Sequence, residues 1–498
     1  MKKYDIVVIG AGLGGLITST ILSREGYSVC VLEKGVQIGG AIQSFSRDNV
    51  TFDVGAHYVG GLEQGQNLNQ ILRFLNVKDK LKLKKLDVDA YDKITFLDQN
   101  KEYPHSQGFE NFKENLLEFF PAEKKAVDKY IETVINLVND FPLFKLSEGE
   151  YSLFSSKHQN ISVGNYLDSI TEDENLKNVL AGNNLLYAGE QYSTQLSVQG
   201  LIHYSYLESA YRFVGGTSKL AHALADEITA NGGEILVKSE VKRFELENGK
   251  IDSVVVNEGE KVLGKHFISN MHPTRTFEMI DEQEVRKSYY RRIVNLENTI
   301  SVFSVYGILK PNSFPFLNSN HYIFRENNVW GVDNYDKQQW PSMSMFLTQP
   351  VPGNDRYAKG FTALAYMKFD EVMKWKNTVV GSRGDDYYEF KKLKAQKVLD
   401  LVEKKFPGLR DSISNVYSSS PLTYRDYTGT VDGSLYGVVR NVDSHMENLV
   451  LPDTKIPNLL FTGQNTTMHG VIGVAIGSLL VCSKFLGMKY LVDNINKA

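Results

Sequence analysis

Glycines at positions 10, 12, 14 and 15 constrain this chain more than any other feature. They follow Tyr4 to Ile9 (YDIVVI), an apolar and largely β-branched run of the kind expected for a strand buried on both faces of a parallel sheet. Gly10, Gly12 and Gly15 spell G-x-G-x-x-G: the first permits a tight turn, the second lets backbone approach a pyrophosphate, and the third allows a helix to pack closely. Gly14 gives further room. Leu16, Ile17, Ile21 and Leu22 then repeat at helical spacing, so the free N–H groups and positive dipole end of that helix face the glycine turn. Ser28 to Leu32 (SVCVL) returns as a second strand, ending in Glu33 about twenty residues past the turn, where a carboxylate accepts both ribose hydroxyls and repels a 2′-phosphate. Strand, turn, helix, strand and acid in register predict a dinucleotide site and leave open which dinucleotide.

At 498 residues the chain has length for about two or three domains. Its 55 basic and 59 acidic residues are interspersed and leave a net charge of only -4, so nucleic acid is not an expected partner. The two cysteines, Cys30 and Cys482, stand in no metal-ligand or C-x-x-C spacing; no metal site is expected, and a reducing interior suits both. A first strand starting at Tyr4 leaves no room for a signal peptide, and no run of about eighteen apolar residues would span a bilayer, so the expected location is cytoplasmic. No second G-x-G-x-x-G occurs, which argues against a dedicated nicotinamide nucleotide domain.

Further along, Lys78 to Leu86 alternates Lys with Leu and reads as a strand, its five lysines a solvated edge rather than a surface for anionic lipid. Phe109–Phe120 and Ala122–Asp140 read as helices divided by Pro121, and Val163–Glu208 as a further helical stretch. After Phe213-Val214-Gly215-Gly216-Thr217 comes an apolar-periodic helix, then strands over Glu234–Val237, Glu240–Glu247, Lys250–Val256 and His266–Ser269. His272, in the following Asn270-Met271-His272-Pro273, reads as a loop residue. Thr299–Leu309, Met343–Thr348 and Phe361–Tyr366 are β-rich, and Tyr388–Phe406 is amphipathic. Trp330, Trp340, Phe346, Tyr366 and Phe369 read as core residues. Asn458–Thr462 reads as a buried strand running into Gly463-Gln464-Asn465, and His469-Gly470-Val471-Ile472-Gly473 opens a last helix ending at Leu486.

Six residues past Glu33 stand Gly39-Gly40, and then Phe52-Asp53-Val54-Gly55-Ala56-His57-Tyr58. An acid, a GG pair and a downstream F-D-x-G resemble the extended fingerprint of FAD-dependent amine oxidases and phytoene desaturases. The continuation AHYVGG, Ala56 to Gly61, most resembles the branch with carotenoid isomerases and retinol saturases. The resemblance runs from Tyr4 to about Gly487 and implies FAD as cofactor. It implies an α/β fold: a Rossmann-type FAD-binding domain, as in glutathione reductase-like flavoproteins, over 1–85, 209–286 and 415–498. The inserted α+β substrate domain, with a helical lipid-facing part, takes 86–208 and 287–414. The cofactor contacts it implies are Gly10, Gly12, Leu13, Gly14, Gly15, Glu33, Lys34, Gly39, Gly40, Ala41, Gly55, Ala56 and His57. Val241 joins them through its backbone at adenine, as do Gly463, Gln464, Asn465, Gly470, Val471 and Gly473 along the ribityl chain and under the isoalloxazine. Many relatives carry Arg after the GG pair and Asp after the later Gly; this chain has Ala41 and Gln464, which supply no charge.

The implied chemistry is hydride exchange between flavin N5 and an apolar, carotenoid- or retinoid-like polyene, as saturase, desaturase or isomerase. His57, Tyr58 and His469 are the candidate catalytic groups, since addition to C=C also needs a proton. The alternatives are a flavin amine oxidase, whose aromatic cage is not readable here, and a non-catalytic FAD- or lipid-binding protein. The expected partners are an apolar small molecule and an unidentified electron donor or acceptor. Peripheral membrane contact is expected through an apolar patch on the helices between Phe109 and Tyr206. Covalent flavin attachment through His57 or Cys482 lacks its usual sequence contexts.

Overall fold

In the computed structural model, residues 2–149, 160–331, 334–350, 353 and 356–498 are described. Two seven-stranded sheets organise them. Their strands, in chain order, are β1 (Lys3–Ile9), β2 (Val29–Leu32), β3 (Asp92–Phe96), β4 (Lys101–His105), β5 (Glu234–Leu236), β6 (Val241–Glu247), β7 (Lys250–Val256), β8 (Glu260–Ser269), β9 (Ser301–Leu309), β10 (Asn320–Phe324), β11 (Met343–Thr348), β12 (Gly360–Met367), β13 (Ile413–Ser419) and β14 (Leu459–Phe461). The helices that matter here are α1 (Leu13–Arg24), α2 (Phe109–Phe119), α3 (Lys124–Asn139), α4 (Leu196–Glu208), α5 (Ser218–Ala230), α6 (Asp385–Lys405) and α7 (Gly470–Leu486).

The first sheet runs β5-β2-β1-β8-β7-β6, with β14 also paired to β8. Its β5, β2, β1, β8 and β14 are parallel, so β1 is hydrogen-bonded on both edges and covered on both faces. That is why YDIVVI is nearly continuous in apolar residues instead of alternating. α1, α5 and α7 pack over one face in a core holding Leu16, Ile17, Leu224 and Leu479. α1 is buried almost all round, from Leu13 to Ser23, the state expected of a helix without a polar face.

The second sheet runs β13-β9-β12-β11-β10-β3-β4, antiparallel except where β3 meets β10. One face carries α2, α3 and α4 over Tyr322, Phe324 and Leu347; the other carries α6 over Phe303, Phe346 and Ala365, with Trp340 and Trp375. Buried on both sides, β9 to β12 again read as continuous apolar runs. β3, β4, β10 and β13 are additions to the strands expected from sequence. Two joints also shift. The helix Lys287–Val294 stays against the first sheet, with Ile293 and Leu296 buried beside Phe244 and Phe277, and β13 completes the second sheet as far as Ser419.

The lysine-rich segment is a short 3₁₀ turn at Lys78–Lys80 and a strand at Leu83–Lys85, on the edge of a three-stranded sheet with Val59–Gly60 and Ala210–Phe213. Lys80 pairs with Glu227 and Lys85 with Glu63, as suits a solvated edge. Among the described residues between Phe109 and Tyr206, Phe119 and Tyr192 are the exposed large apolar side chains; most other apolar positions of α2, α3 and α4 pack against the second sheet, with Val138 and Leu201 in the first sheet's core and Val198 and Ile202 on a cavity wall. Residues 150–159 of that stretch lie outside the described ones. No helix among the described residues is long and apolar enough to cross a membrane.

Arg212 ties the small sheet to the large one. Its guanidinium, 1% exposed, donates to the carbonyls of Thr348 (2.6 Å) and Ser319 (3.0 Å) and to Oδ1 of Asn320 (2.6 Å). Arg212→Met strands these acceptors in a dry interior, at about 1–3 kcal/mol each. The expected result is a lowering of unfolding free energy by at least about 3 kcal/mol in urea titration; a loss under about 1 kcal/mol would contradict this role.

Candidate active site

The two helices that begin at glycine turns aim their N-termini at one cavity of about 680 Å³. Gly12 precedes α1 and His469 precedes α7, and neither helix start is capped by a side chain, so first-turn N–H groups stay available to a ligand. The Gly39-Gly40 segment closes on the first turn: Gly39 N–H donates to Ala11 O (2.7 Å), and a Cβ on Gly40 would lie 3.2 Å from Gly12 Cα. Glu33 extends from the end of β2, with Oε2 accepting from Ala11 N–H (2.9 Å) and Oε1 from Gly35 N–H (2.7 Å).

Asn270, directly after β8, sits among these turns. A Cβ on Gly12 would lie 2.6 Å from its Nδ2, and one on Gly14 2.7 Å from its Oδ1 and from the backbone of Gly463. The glycines are therefore dictated by a protein neighbour as well as by any ligand. Gly15 has the packing role its spacing suggests, since a Cβ there would overlap the Gly10 carbonyl.

The structure gathers the expected cofactor residues around this one cavity. Gly10, Gly12, Leu13, Gly14, Glu33, Lys34, Gly39, Gly40, Ala41, Gly55, Ala56, His57, Val241, Gly463, Gln464, Asn465, Gly470 and Val471 all line it; Gly15 and Gly473 do not. The side chains missed from sequence include Asn270, Arg275, Tyr424, Arg425, Asp426 and Tyr436. In place of the Arg absent at Ala41, the bordering guanidiniums are Arg275, paired with Glu278, and Arg425, paired with Asp426. His272 borders the cavity as a helix cap: its Nδ1 accepts from Thr274 N–H (3.2 Å) and its Nε2 meets Asn298 Oδ1 (2.7 Å). Cys482 lies away from the cavity inside α7, where burial raises its thiol pKa.

Of the three candidate catalytic groups, His57 and Tyr58 line the main cavity, and His469 lines a cavity that shares a wall with it and a further one. Burial, with the charge of Arg212, lowers the His57 pKa to about 4, and burial together with Arg440 holds His469 well below the ordinary histidine range. Both imidazoles are neutral near pH 7, and each has a buried Nδ1 without a partner among the described residues. Tyr58 differs. Its hydroxyl donates to Asp92 Oδ2 (2.8 Å) and lies 2.7 Å from the Tyr322 hydroxyl, and its ring packs 4.6 Å from that of Tyr206.

Asp92, at the start of β3, is fully buried. Asn320 Nδ2 donates to its Oδ1 (2.7 Å) and Asn183 Nδ2 to its Oδ2 (3.3 Å). Behind Asn183 stands His203, with Nε2 2.7 Å from Asn183 Oδ1 and Nδ1 2.6 Å from the Tyr130 hydroxyl. Desolvation outweighs these hydrogen bonds and the charge of Arg212, and raises the Asp92 pKa to about 7. Tyr58, Tyr91, Tyr206 and Tyr322 around it are pushed far above neutrality, while His105 falls to about 4 and His203 is held well below the ordinary histidine range, all by burial first. Within the cluster, Asp92 alone changes protonation near neutral pH. Sequence offered no signal for it, because Asp92 lies in a strand that the pattern did not reveal.

Residues 13–275 match the sequence profile of the flavin containing amine oxidoreductases, over half of the chain. The all-trans-retinol 13,14-reductase of Rattus norvegicus is 26% identical over 529 residues, covering 97% of this chain and 86% of the rat protein. Prolycopene isomerase 1, chloroplastic, of an Oncidium hybrid cultivar is 27% identical over 503 residues, covering 96% and 83%. A structure of putrescine oxidase bound to putrescine superposes with a TM-score of 0.65 at 14% identity, over 97% of this chain and 99% of that one, a likeness of fold. The Rossmann-type sheet with a second, mixed layer is thus a flavoprotein fold, and FAD is the cofactor. The residues fit it: two uncapped helix starts, a glycine-walled cleft and an acid at the end of β2 open on one elongated cavity.

Asp92 holds its proton to about pH 7 when folded, against 3.8 in an ordinary carboxyl, so the fold gains most below about pH 4 and loses stability as pH rises toward and through 7. Asp92→Asn removes that slope. Urea midpoints for both proteins between about pH 4 and pH 8 are expected to converge in acid and to diverge in favour of the variant as pH rises, by a few kcal/mol at most; parallel curves would contradict a protonated Asp92.

Proposed function

Because this chain belongs to the flavin containing amine oxidoreductase family and is an FAD-dependent oxidoreductase, we propose that it reduces a C=C bond of an apolar, carotenoid- or retinoid-like polyene. One observation carries the reading: a cavity-lining phenol, Tyr58, hydrogen-bonded to a carboxyl that desolvation keeps protonated up to about neutral pH. The rat and Oncidium relatives, a retinol reductase and a prolycopene isomerase by name, support the substrate class.

Bound FAD in its reduced form supplies a hydride from N5. In this reading the first turn of α1, from Gly12 to Gly14, holds the pyrophosphate, Glu33 the adenosine ribose, and the Val241 backbone the adenine. Leu13, Lys34, Gly39, Gly40, Ala41, Gly55 and Ala56 shape the cleft, and Gln464 and Asn465 hydrogen-bond the ribityl chain. The N-terminus of α7 at Gly470-Val471 places its dipole beside the ring, where it favours negative charge. FAD would occupy the unit built on the first sheet, and substrate the unit of the second sheet. With no second nucleotide-binding fingerprint, electrons come from an outside donor.

With a proton on Asp92 Oδ2, the 2.8 Å contact would run from the carboxyl to the phenol oxygen and leave the Tyr58 proton free for the substrate. On hydride addition to one carbon of the double bond, the Tyr58 O–H bond would break to protonate the neighbouring carbon, and the Oδ2 proton would pass to the Tyr58 oxygen. His57 and His469, neutral and without a spare proton at ordinary pH, line and shape the site. Val302, Leu364, Met345 and Leu185 supply an apolar wall that keeps water from the forming carbanionic charge.

Anaerobically photoreduced protein mixed with a panel of retinoids and carotenoids is expected to lose its reduced-flavin spectrum with one of them, and Tyr58→Phe, flavin intact, to slow that step by about a hundredfold or more. Reduction of the oxidised protein by an amine, with no polyene reoxidising the reduced form, would overturn the proposal in favour of an amine oxidase.

A further inference from the structure

An apolar cavity adjoins the main one, the two sharing Leu186, Tyr206, Asn465, Gly470 and Val471 in their walls. Phe144, Val198, Leu201, Ile202, Met468 and Ile472 are among its apolar lining. Among the described residues that border it, Arg440 is the one Lys or Arg, and no Asp or Glu is present. Its Nη2 donates to the carbonyls of Gln464 (2.8 Å) and Thr466 (3.3 Å), which fixes the guanidinium against the loop that precedes α7. Its Nε and Nη1 have no protein acceptor among the described residues.

Among the described residues no carboxylate pairs with this charge. Glu190 and Asp432 border a third cavity that Arg440 also touches, yet neither forms an ion pair with it, and Glu190 accepts instead from Ser193 Oγ (2.6 Å). Burial lowers the Arg440 pKa only to about 10, so the group is charged at neutral pH. His445 and His469, the other ionisable groups on this wall, are held below the ordinary histidine range by burial and bring no compensating charge. A half-buried cation with free donors and no counter-ion among the described residues is costly to the fold, and an anion on the ligand would relieve that cost. Guanidinium donors are well matched to carboxylate oxygens. Aliphatic walls on either side of that one cation require the rest of the ligand to be apolar.

We infer that the substrate is an apolar chain ending in a carboxylate, the acid group held by the free donors of Arg440 and the chain running past Tyr206 into the main cavity toward Tyr58. This rests on the polyene reading given above and adds to it the chemistry of the polar end.

Equilibrium dialysis of the flavin-loaded protein against all-trans-retinoic acid, all-trans-retinol, hexadecanoic acid and hexadecanol, at about pH 7, tests the inference without turnover. Wild type is expected to bind the acid about ten- to a hundredfold more tightly than the alcohol of the same chain. Arg440→Met should erase the preference while keeping the affinity for the alcohol, and Arg440→Lys should retain part of it; flavin content reports whether each variant has folded. Equal binding of acid and alcohol by wild type, or a preference that persists in Arg440→Met, would overturn the inference. An acid preference seen only with the saturated pair would keep the Arg440 site and overturn the polyene, and binding of none of the four would overturn both.

Discussion

The turn before α1 and Gly463 converge on Asn270, with the Gly39-Gly40 segment against Gly12. A Cβ on Gly12, Gly14 or Gly463 would come within 2.7 Å of a neighbouring atom. What the convergence secures is electrostatic: two helices, from opposite ends of the chain, present uncapped N-termini to one cavity. A macrodipole contributes only about half an elementary charge at each end and acts over about one turn, so both ends must be within reach of the same ligand to matter. The parallel pairing of β1 with β8 and of β8 with β14 achieves this, because it brings the turns after all three strands to one edge of the sheet.

The second layer contributes dryness. Its sheet and helices remove Asp92 from water, and hydrogen bonds from Asn320, Asn183 and Tyr58, with Arg212 nearby, are not enough to keep it ionised. Desolvation decides the outcome, and the carboxyl remains a proton carrier in a place where the histidines have ceased to be. The same dryness that suits an apolar substrate therefore keeps this carboxyl protonated up to about neutral pH. Arg440 is the reverse case, a half-buried guanidinium that desolvation lowers only to about 10 and leaves charged.

Much of the first sheet was legible in sequence, since local rules govern it: glycines at fixed offsets, a strand with no polar face and an acid at a set distance. The later segments, Phe52 to Tyr58 and Gly463 to Val471, became informative through family resemblance, and the structure brings them to the cavity formed by the first. The second sheet was only half legible. β4 (KEYPH) and β13 (ISNVYSS), at the sheet's two ends, carry too many polar residues and too little alternation to stand out, and β3 (DKITF) is short. Asp92 was invisible for the same reason, and Arg440 because a lone arginine is ordinary until its surroundings are known. The amphipathic helices between Phe109 and Tyr206 say that an apolar face is covered, not by what; here a sheet covers most of it.

Single turnover in heavy water tests the account most directly. Flavin-loaded protein, photoreduced anaerobically in D2O, is mixed with the polyene that reoxidises it, and the product is examined by mass spectrometry and NMR. The account predicts a saturated bond with solvent deuterium on both of its carbons, one arriving by way of the exchangeable N5 position of the flavin and the other from the Tyr58 hydroxyl. Polyene recovered without deuterium, whether unchanged or isomerised, would contradict it.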